Sequence, residues 1–138
     1  MTTDTPIILR ASPQDFIEIT GIKKFDDGSG YMSRLSVGSG RFSCSGHPFY
    51  FNDLTGFIKH ITQAYDQVLG KARLANIYEK DFVEIEVLSG GHVKVTGFIQ
   101  VYEPDCQELR FCFMCDQTFL PELLRSLGKA IKELDAKA

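Results

Sequence analysis

The sequence predicts an α+β fold: an antiparallel sheet of about eight strands with two helices on one face. Three observations predict it. Segments in which apolar and polar residues alternate are separated by turn residues, as in strands with one wet face. Two segments instead carry one apolar stripe at steps of three and four, as amphipathic helices do. Finally, the phrase Asp15-Phe16-Ile17-Glu18-Ile19 returns as Asp81-Phe82-Val83-Glu84-Ile85, 66 residues later.

The same offset relates the two helical stripes. Leu54, Phe57, Ile58 and Ile61 correspond to Leu120, Leu123, Leu124 and Leu127. Because a strand phrase and a later helix recur together, the chain is predicted to be a duplicated ββββα unit with a pseudo-twofold axis. Its length of 138 residues fits a single domain over 1–138, with repeats at about 6–70 and 72–136.

The first half reads as four strands followed by a helix. The predicted strands are Ile7–Leu9, Phe16–Ile22, Tyr31–Val37 and Arg41–Phe51, separated by turn signals such as Asp27-Gly28-Ser29-Gly30. Asn52 or Asp53 is predicted to cap the helix, since either side chain can accept from the free amides of the first turn. The apolar stripe continues to Leu69, and Gly70 is predicted to end the helix.

The second half repeats this order. The predicted strands are Ala72–Ile77, Asp81–Leu88, His92–Tyr102 and Gln107–Cys115. In the alternating pattern, Val83, Ile85 and Val87 point inward, whereas Phe82, Glu84 and Glu86 point outward. Asp116 or Thr118 is predicted to cap the last helix, whose stripe runs to Leu134. Pro121 falls in the first turn, where proline is tolerated.

Composition disfavours two classes of partner. The net charge is −3 and the pI is about 5.6, whereas nucleic-acid binding needs clustered Lys and Arg. No apolar run approaches the roughly 18 residues of a membrane span. The four cysteines lack the spacing of a disulfide framework, so the predicted location is the reducing cytoplasm.

The sequence offers no motif for catalysis, a metal or a cofactor. Cys112-Phe113-Met114-Cys115 is a C-x-x-C, but in a strand its two cysteines should face opposite sides. His47, His60 and His92 have no second ligand at metal-binding spacing and read as surface or turn residues. No serine lies in G-x-S-x-G. We therefore predict a protein that is not an enzyme.

The outward face of the second-half sheet is the candidate protein-binding surface. Aromatic residues alternate there with charged ones, as they do at protein interfaces. The candidate residues are Phe82, Glu84, Glu86, Phe98, Tyr102 and Arg110. The other interpretation is that these rings pack under loops or stand exposed singly.

Four short segments carry a resemblance to a known family. Phe51-Asn52-Asp53-Leu54-Thr55-Gly56-Phe57-Ile58, Phe82-Val83-Glu84-Ile85, Gly91-His92-Val93-Lys94-Val95 and Asp116-Gln117-Thr118-Phe119-Leu120 resemble the WapI-type immunity proteins of bacterial polymorphic toxin systems. The resemblance implies a small cytoplasmic α+β protein that binds and neutralises a toxin domain, without catalytic residues. A ligand-binding or enzymatic domain with a pocket between helices and sheet stays open as the alternative, as does a homodimer.

Overall fold

A computed structural model describes residues 2–3 and 5–136 of the chain. Within these residues, nine strands and two α-helices follow one another as two successive groups of strands, each ending in a helix. The elements are β1 Thr2–Thr3, β2 Ile7–Arg10, β3 Phe16–Lys24, β4 Tyr31–Ser39, β5 Phe42–Phe51, α1 Leu54–Gln67, β6 Gly70–Ala75, β7 Phe82–Val87, β8 His92–Val101, β9 Gln107–Asp116 and α2 Leu120–Ala136.

The strands are all antiparallel and divide between two sheets. The first sheet has the order β1-β3-β4-β5, with β2 also paired to β3, and the second has the order β6-β7-β8-β9. The predicted class, the antiparallel pairing and the ββββα order are thus confirmed, but the strands do not form one continuous sheet. The chain enters α1 after β5, and β6 then pairs with β7 instead of β5. Both β5 and β9 remain edge strands.

One core unites both halves. The inward residues alternate along each strand as predicted, for example Val83, Ile85 and Val87 in β7. They pack with the stripes of both helices in a single cluster of buried side chains. The predicted equivalents Phe57 and Leu123 both lie in this cluster and are at most 3% exposed. Burial of this apolar surface is the main term that stabilises the fold.

The first helix begins as predicted and ends differently. Asp53 is the cap, and its carboxylate accepts a hydrogen bond from the Gly56 amide at 2.9 Å. The helix ends at Val68, which adopts the left-handed conformation with φ of 55°. Gly70 instead opens β6 with φ of 137°. The predicted glycine cap is therefore wrong, and a β-branched residue occupies a conformation that it rarely adopts.

Each helix packs beside a strand of the other half. Helix α1 lies against β6, and α2 lies against β2. Ser126 of α2 accepts a hydrogen bond from the Ile8 amide at 3.2 Å, and Glu133 accepts one from the Thr5 hydroxyl at 2.5 Å. This reciprocal arrangement is what a pseudo-twofold between the halves requires.

The repeated phrase makes the same contacts in both halves. Asp15 accepts a hydrogen bond from the Gly40 amide at 2.8 Å, and Asp81 accepts one from the Gln100 amide at 3.0 Å. The strand registers make these partners equivalent, because each lies two residues beyond the residue paired with the phrase's phenylalanine. A shared origin of the two halves, with the stated repeat boundaries, stays a prediction.

Candidate functional site

The outward face of the second sheet brings together most of the predicted binding residues. Phe82 of β7 pairs with Phe98 of β8, which in turn pairs with Arg110 of β9, so the three side chains form one row across the sheet. Glu84 and Glu86 lie in the next rows along β7 and are partly exposed. The inward side chains of β7 join the core cluster with the stripes of both helices, so this face is the one turned away from the core.

Arginine side chains cover the aromatic rings of this row. The guanidinium carbon of Arg110 lies 4.8 Å from the ring centroid of Phe98, and that of Arg73 lies 3.9 Å from the centroid of Phe82. Arg73 also forms an ion pair with Glu84, with Nε 3.1 Å from Oε1. Phe98 is only 6% exposed, although it lies outside the main core. The Phe98 ring thus lies on the outward face but is shielded from solvent by its neighbours.

Tyr102 lies apart from this row, just beyond the end of β8, and is 52% exposed. Its hydroxyl oxygen is 3.1 Å from Oε2 of Glu79 and 2.9 Å from Oε1 of Gln100. Partial desolvation, followed by the hydrogen bond to Glu79, raises the pKa of the Tyr102 hydroxyl. Tyr102 therefore belongs to the rim of the face, where the two sheets meet.

The sequence did not reveal the polar junction between the sheets. His47 of β5 places Nε2 at 2.7 Å from Oδ2 of Asp81, whose side chain is fully buried. Close by, the Ile77 amide donates a hydrogen bond to the Tyr50 carbonyl at 2.8 Å. These contacts connect edge strand β5 to the loop between β6 and β7. His47 and Asp81 are 34 positions apart, so no local spacing could pair them.

Comparison with protein-family models gives one match, to the Immunity protein WapI-like family, over residues 8–135. The chain belongs to this family. The resemblance drawn from the four short segments is thereby confirmed over most of the length. Comparisons with curated proteins and with solved structures find no match.

A cysteine lies three positions before His47 in this WapI-like chain. Cys44 is the thiol closest in chain to the His47–Asp81 pair. Burial and then the charge of Asp81 raise the pKa of the Cys44 thiol, whereas a nucleophilic cysteine needs a lowered one. The contact between His47 and Asp81 connects β5 of the first sheet to the residue that precedes β7 of the second.

The C-x-x-C of this WapI-like chain does not form a paired site. Cys112 is exposed on the outward face, and Cys115 is half-buried against the core, which confirms the predicted opposite orientations. Burial, with a smaller effect of Asp116, raises the pKa of Cys115 to about 11. In the part of the chain that the structure describes, no cluster of three or more His, Cys, Asp and Glu side chains could hold a metal ion.

The helices add one further observation. Neither α1 nor α2, the two α-helices found within residues 2–3 and 5–136, is long and apolar enough to cross a membrane.

Proposed function

We propose that this protein is a non-enzymatic cytoplasmic immunity protein that binds one cognate bacterial toxin domain and blocks it, without a cofactor. The family match over residues 8–135 carries the proposal. Burial raises the pKa of the Cys44 thiol, which makes this cysteine a poor nucleophile.

The outward face of the second sheet is the proposed contact surface. Arg110 is exposed above the shielded ring of Phe98, so its guanidinium is held in place before a partner arrives. Arginine and tyrosine are enriched among residues that dominate binding energy, and a pre-positioned side chain loses less entropy on binding. Glu84, which is paired with Arg73, and Glu86 lie on the same face along β7, two strands away from Arg110, and Tyr102 supplies an aromatic rim.

Stoichiometry of protection distinguishes binding from catalysis. The toxin domain encoded beside this gene is titrated with the purified protein, and residual toxin activity is measured. A binding inhibitor is expected to abolish activity at about one molecule per toxin and to form a stable complex in size-exclusion chromatography. Full protection at a small fraction of one equivalent would identify an enzyme that modifies the toxin and would refute the proposal.

Two matched arginines test the proposed face. Arg110→Glu is expected to weaken toxin binding by about 100-fold, which corresponds to about 2.7 kcal/mol, in the range of an interface hot spot. Arg10 covers Phe16 on the first sheet at 4.3 Å and provides the control. Arg10→Glu is expected to leave the toxin Kd within about threefold of the original. Equal effects of both variants would remove the second-sheet face as the contact surface.

Light scattering separates a foreign partner from self-association. The free protein is expected to have the mass of one chain. A dimeric mass that Arg110→Glu converts to a monomeric one would assign the face to a homodimer.

A further inference from the structure

A second surface lies where the two edge strands begin. A cleft of about 430 Å³ is lined by Phe42, Ser43 and Cys44 at the start of β5 and by Gln107, Glu108 and Leu109 at the start of β9, with Ile99 and Val101 of β8 between them. The two strand starts occupy corresponding positions in the two ββββα halves. The cleft therefore lies where the halves face each other across the pseudo-twofold.

The floor of the cleft is apolar and continuous with the core. Ile99 is a buried core residue, and Leu109, Val101 and Cys44 pack against the same core from partly exposed positions. Phe42 stands at the mouth with 67% of its surface exposed. An exposed ring beside an apolar cleft is favourable for a partner that can cover both.

The strand edges beside the cleft have no strand neighbour. β5 is the last strand of the first sheet and β9 the last strand of the second. At the end of β5 that is distant from the cleft, the Tyr50 carbonyl accepts a hydrogen bond from the Ile77 amide. In β9, the Cys112 carbonyl accepts a hydrogen bond from the Ser39 hydroxyl at 2.9 Å. Residues 42–45 and 107–111 thus present edges to which an extended segment can add.

The charged residues around the cleft indicate which side chains a bound segment should carry. Glu108 lines the cleft, and the exposed carboxylates of Glu103 and Asp105 lie in the loop that joins β8 to β9, between the cleft residues Val101 and Gln107. On the opposite side, Arg41 precedes Phe42. A second copy of this chain would bring the same acidic rim against this one, and like charges in contact are unfavourable. A segment that carries lysine or arginine beside its apolar side chains complements the rim.

We propose that this cleft binds an extended segment of the toxin, with apolar side chains in the cleft and flanking lysine or arginine residues on the acidic rim. The inference rests on the proposed function and adds a second contact to the outward face, because Glu108 lines both the cleft and the neighbouring outward pocket. The segment adds to the free edge of β5 or β9, and its side chains cover Phe42.

Two exposed apolar residues provide the first test. Phe42→Asp is expected to raise the toxin Kd at least 30-fold, because it places a charge at the mouth of the cleft. Leu69, 59% exposed at the opposite end of the second sheet, is the control. Leu69→Asp is expected to change the Kd less than threefold. Both variants should fold, since neither side chain belongs to the core.

Charge reversal and hydrogen exchange complete the test. Glu103→Lys combined with Asp105→Lys is expected to lower the association rate with the toxin at least tenfold at low salt, and less at high salt. In the complex, amides in 42–45 and 107–111 are expected to gain protection from exchange.

Four outcomes would overturn the inference. Neutralisation that persists with unchanged affinity in Phe42→Asp refutes the cleft and leaves the proposed function intact. Amide protection that is confined to the outward face in the complex likewise refutes the cleft and leaves the proposed function intact. A toxin that the unaltered protein does not bind refutes the proposed function, and the cleft assignment falls with it. A dimer that Phe42→Asp dissociates would identify a second copy as the occupant.

Discussion

Replacement of Asp81 by alanine should destabilise the protein far more than replacement of Asp15, its counterpart in the first half. Both aspartates begin the repeated phrase, and both accept one hydrogen bond from a backbone amide. Asp81 alone also contacts a histidine, and its side chain is fully buried. The pair of variants therefore isolates what the junction between the sheets contributes.

The structure sets the expected magnitudes. Asp81→Ala leaves the Gln100 amide without its partner and leaves His47, whose side chain is 13% exposed, without a carboxylate. Removal of one member of a buried pair typically costs about 3–5 kcal/mol. Asp15→Ala removes one hydrogen bond at a more exposed site, which costs about 1 kcal/mol. At roughly 3 °C per kcal/mol for a domain of this size, Asp81→Ala should lower Tm by about 10 °C.

Urea and thermal unfolding, followed by circular dichroism, measure both changes. A double-mutant cycle with His47→Ala should give a coupling free energy of about 1–3 kcal/mol between His47 and Asp81. Total stabilities of about 5–15 kcal/mol leave the variants folded enough to measure. Equal losses for Asp81→Ala and Asp15→Ala, or no coupling to His47, would refute the structural role of the junction.

Three further predictions concern packing, backbone strain and thiol reactivity. Gly97→Ala should lower the free energy of unfolding by about 1–3 kcal/mol, because the added methyl would overlap the Phe111 ring. In α2, the methyl added by Gly128→Ala meets no atom within 4 Å, so this variant should raise the free energy of unfolding by about 0.8 kcal/mol. Urea unfolding measures both changes, and a destabilised Gly128→Ala would contradict the prediction. Val68→Asn should raise stability by about 0.5–1 kcal/mol, because asparagine tolerates the positive φ; a lower Tm would show that the packing of Val68 outweighs its strain. At pH 8 a thiol reagent should modify Cys112 and spare Cys115 until the protein is unfolded. The pKa of Cys115, about 11, leaves about one Cys115 side chain in a thousand as the reactive thiolate. Labelling is measured by mass spectrometry, and equal rates for the two cysteines would show that Cys115 is not shielded.

Features that depend on near neighbours in the chain could be predicted well. Alternation in Asp81–Leu88 correctly assigns Val83 to the core side and Glu84 to the outward side. Helical spacing and the Asp53 cap correctly locate the first helix. The end of that helix could not be predicted, because backbone hydrogen bonds at the helix end, from the Val68 and Leu69 amides, accompany a conformation of Val68 that its own preference disfavours.

The candidate site was only partly predictable. Alternation placed Phe82, Phe98 and Arg110 on one face, and the strand register confirms that placement. Alternation cannot show that Arg110 shields Phe98, since that contact depends on which residue β9 brings opposite β8. The surface role of these residues stays a prediction.

By itself the sequence determined the α+β class, the ββββα order, the faces of the strands and the family, because each depends on residue type and spacing along the chain. The tertiary structure alone decided that the strands divide between two sheets, that His47 meets Asp81, and that the starts of β5 and β9 enclose a cleft. The physical reason is the distance along the chain between the residues that interact. Local patterns record which side of an element is buried, whereas pairing between distant segments follows from how all the buried faces pack together.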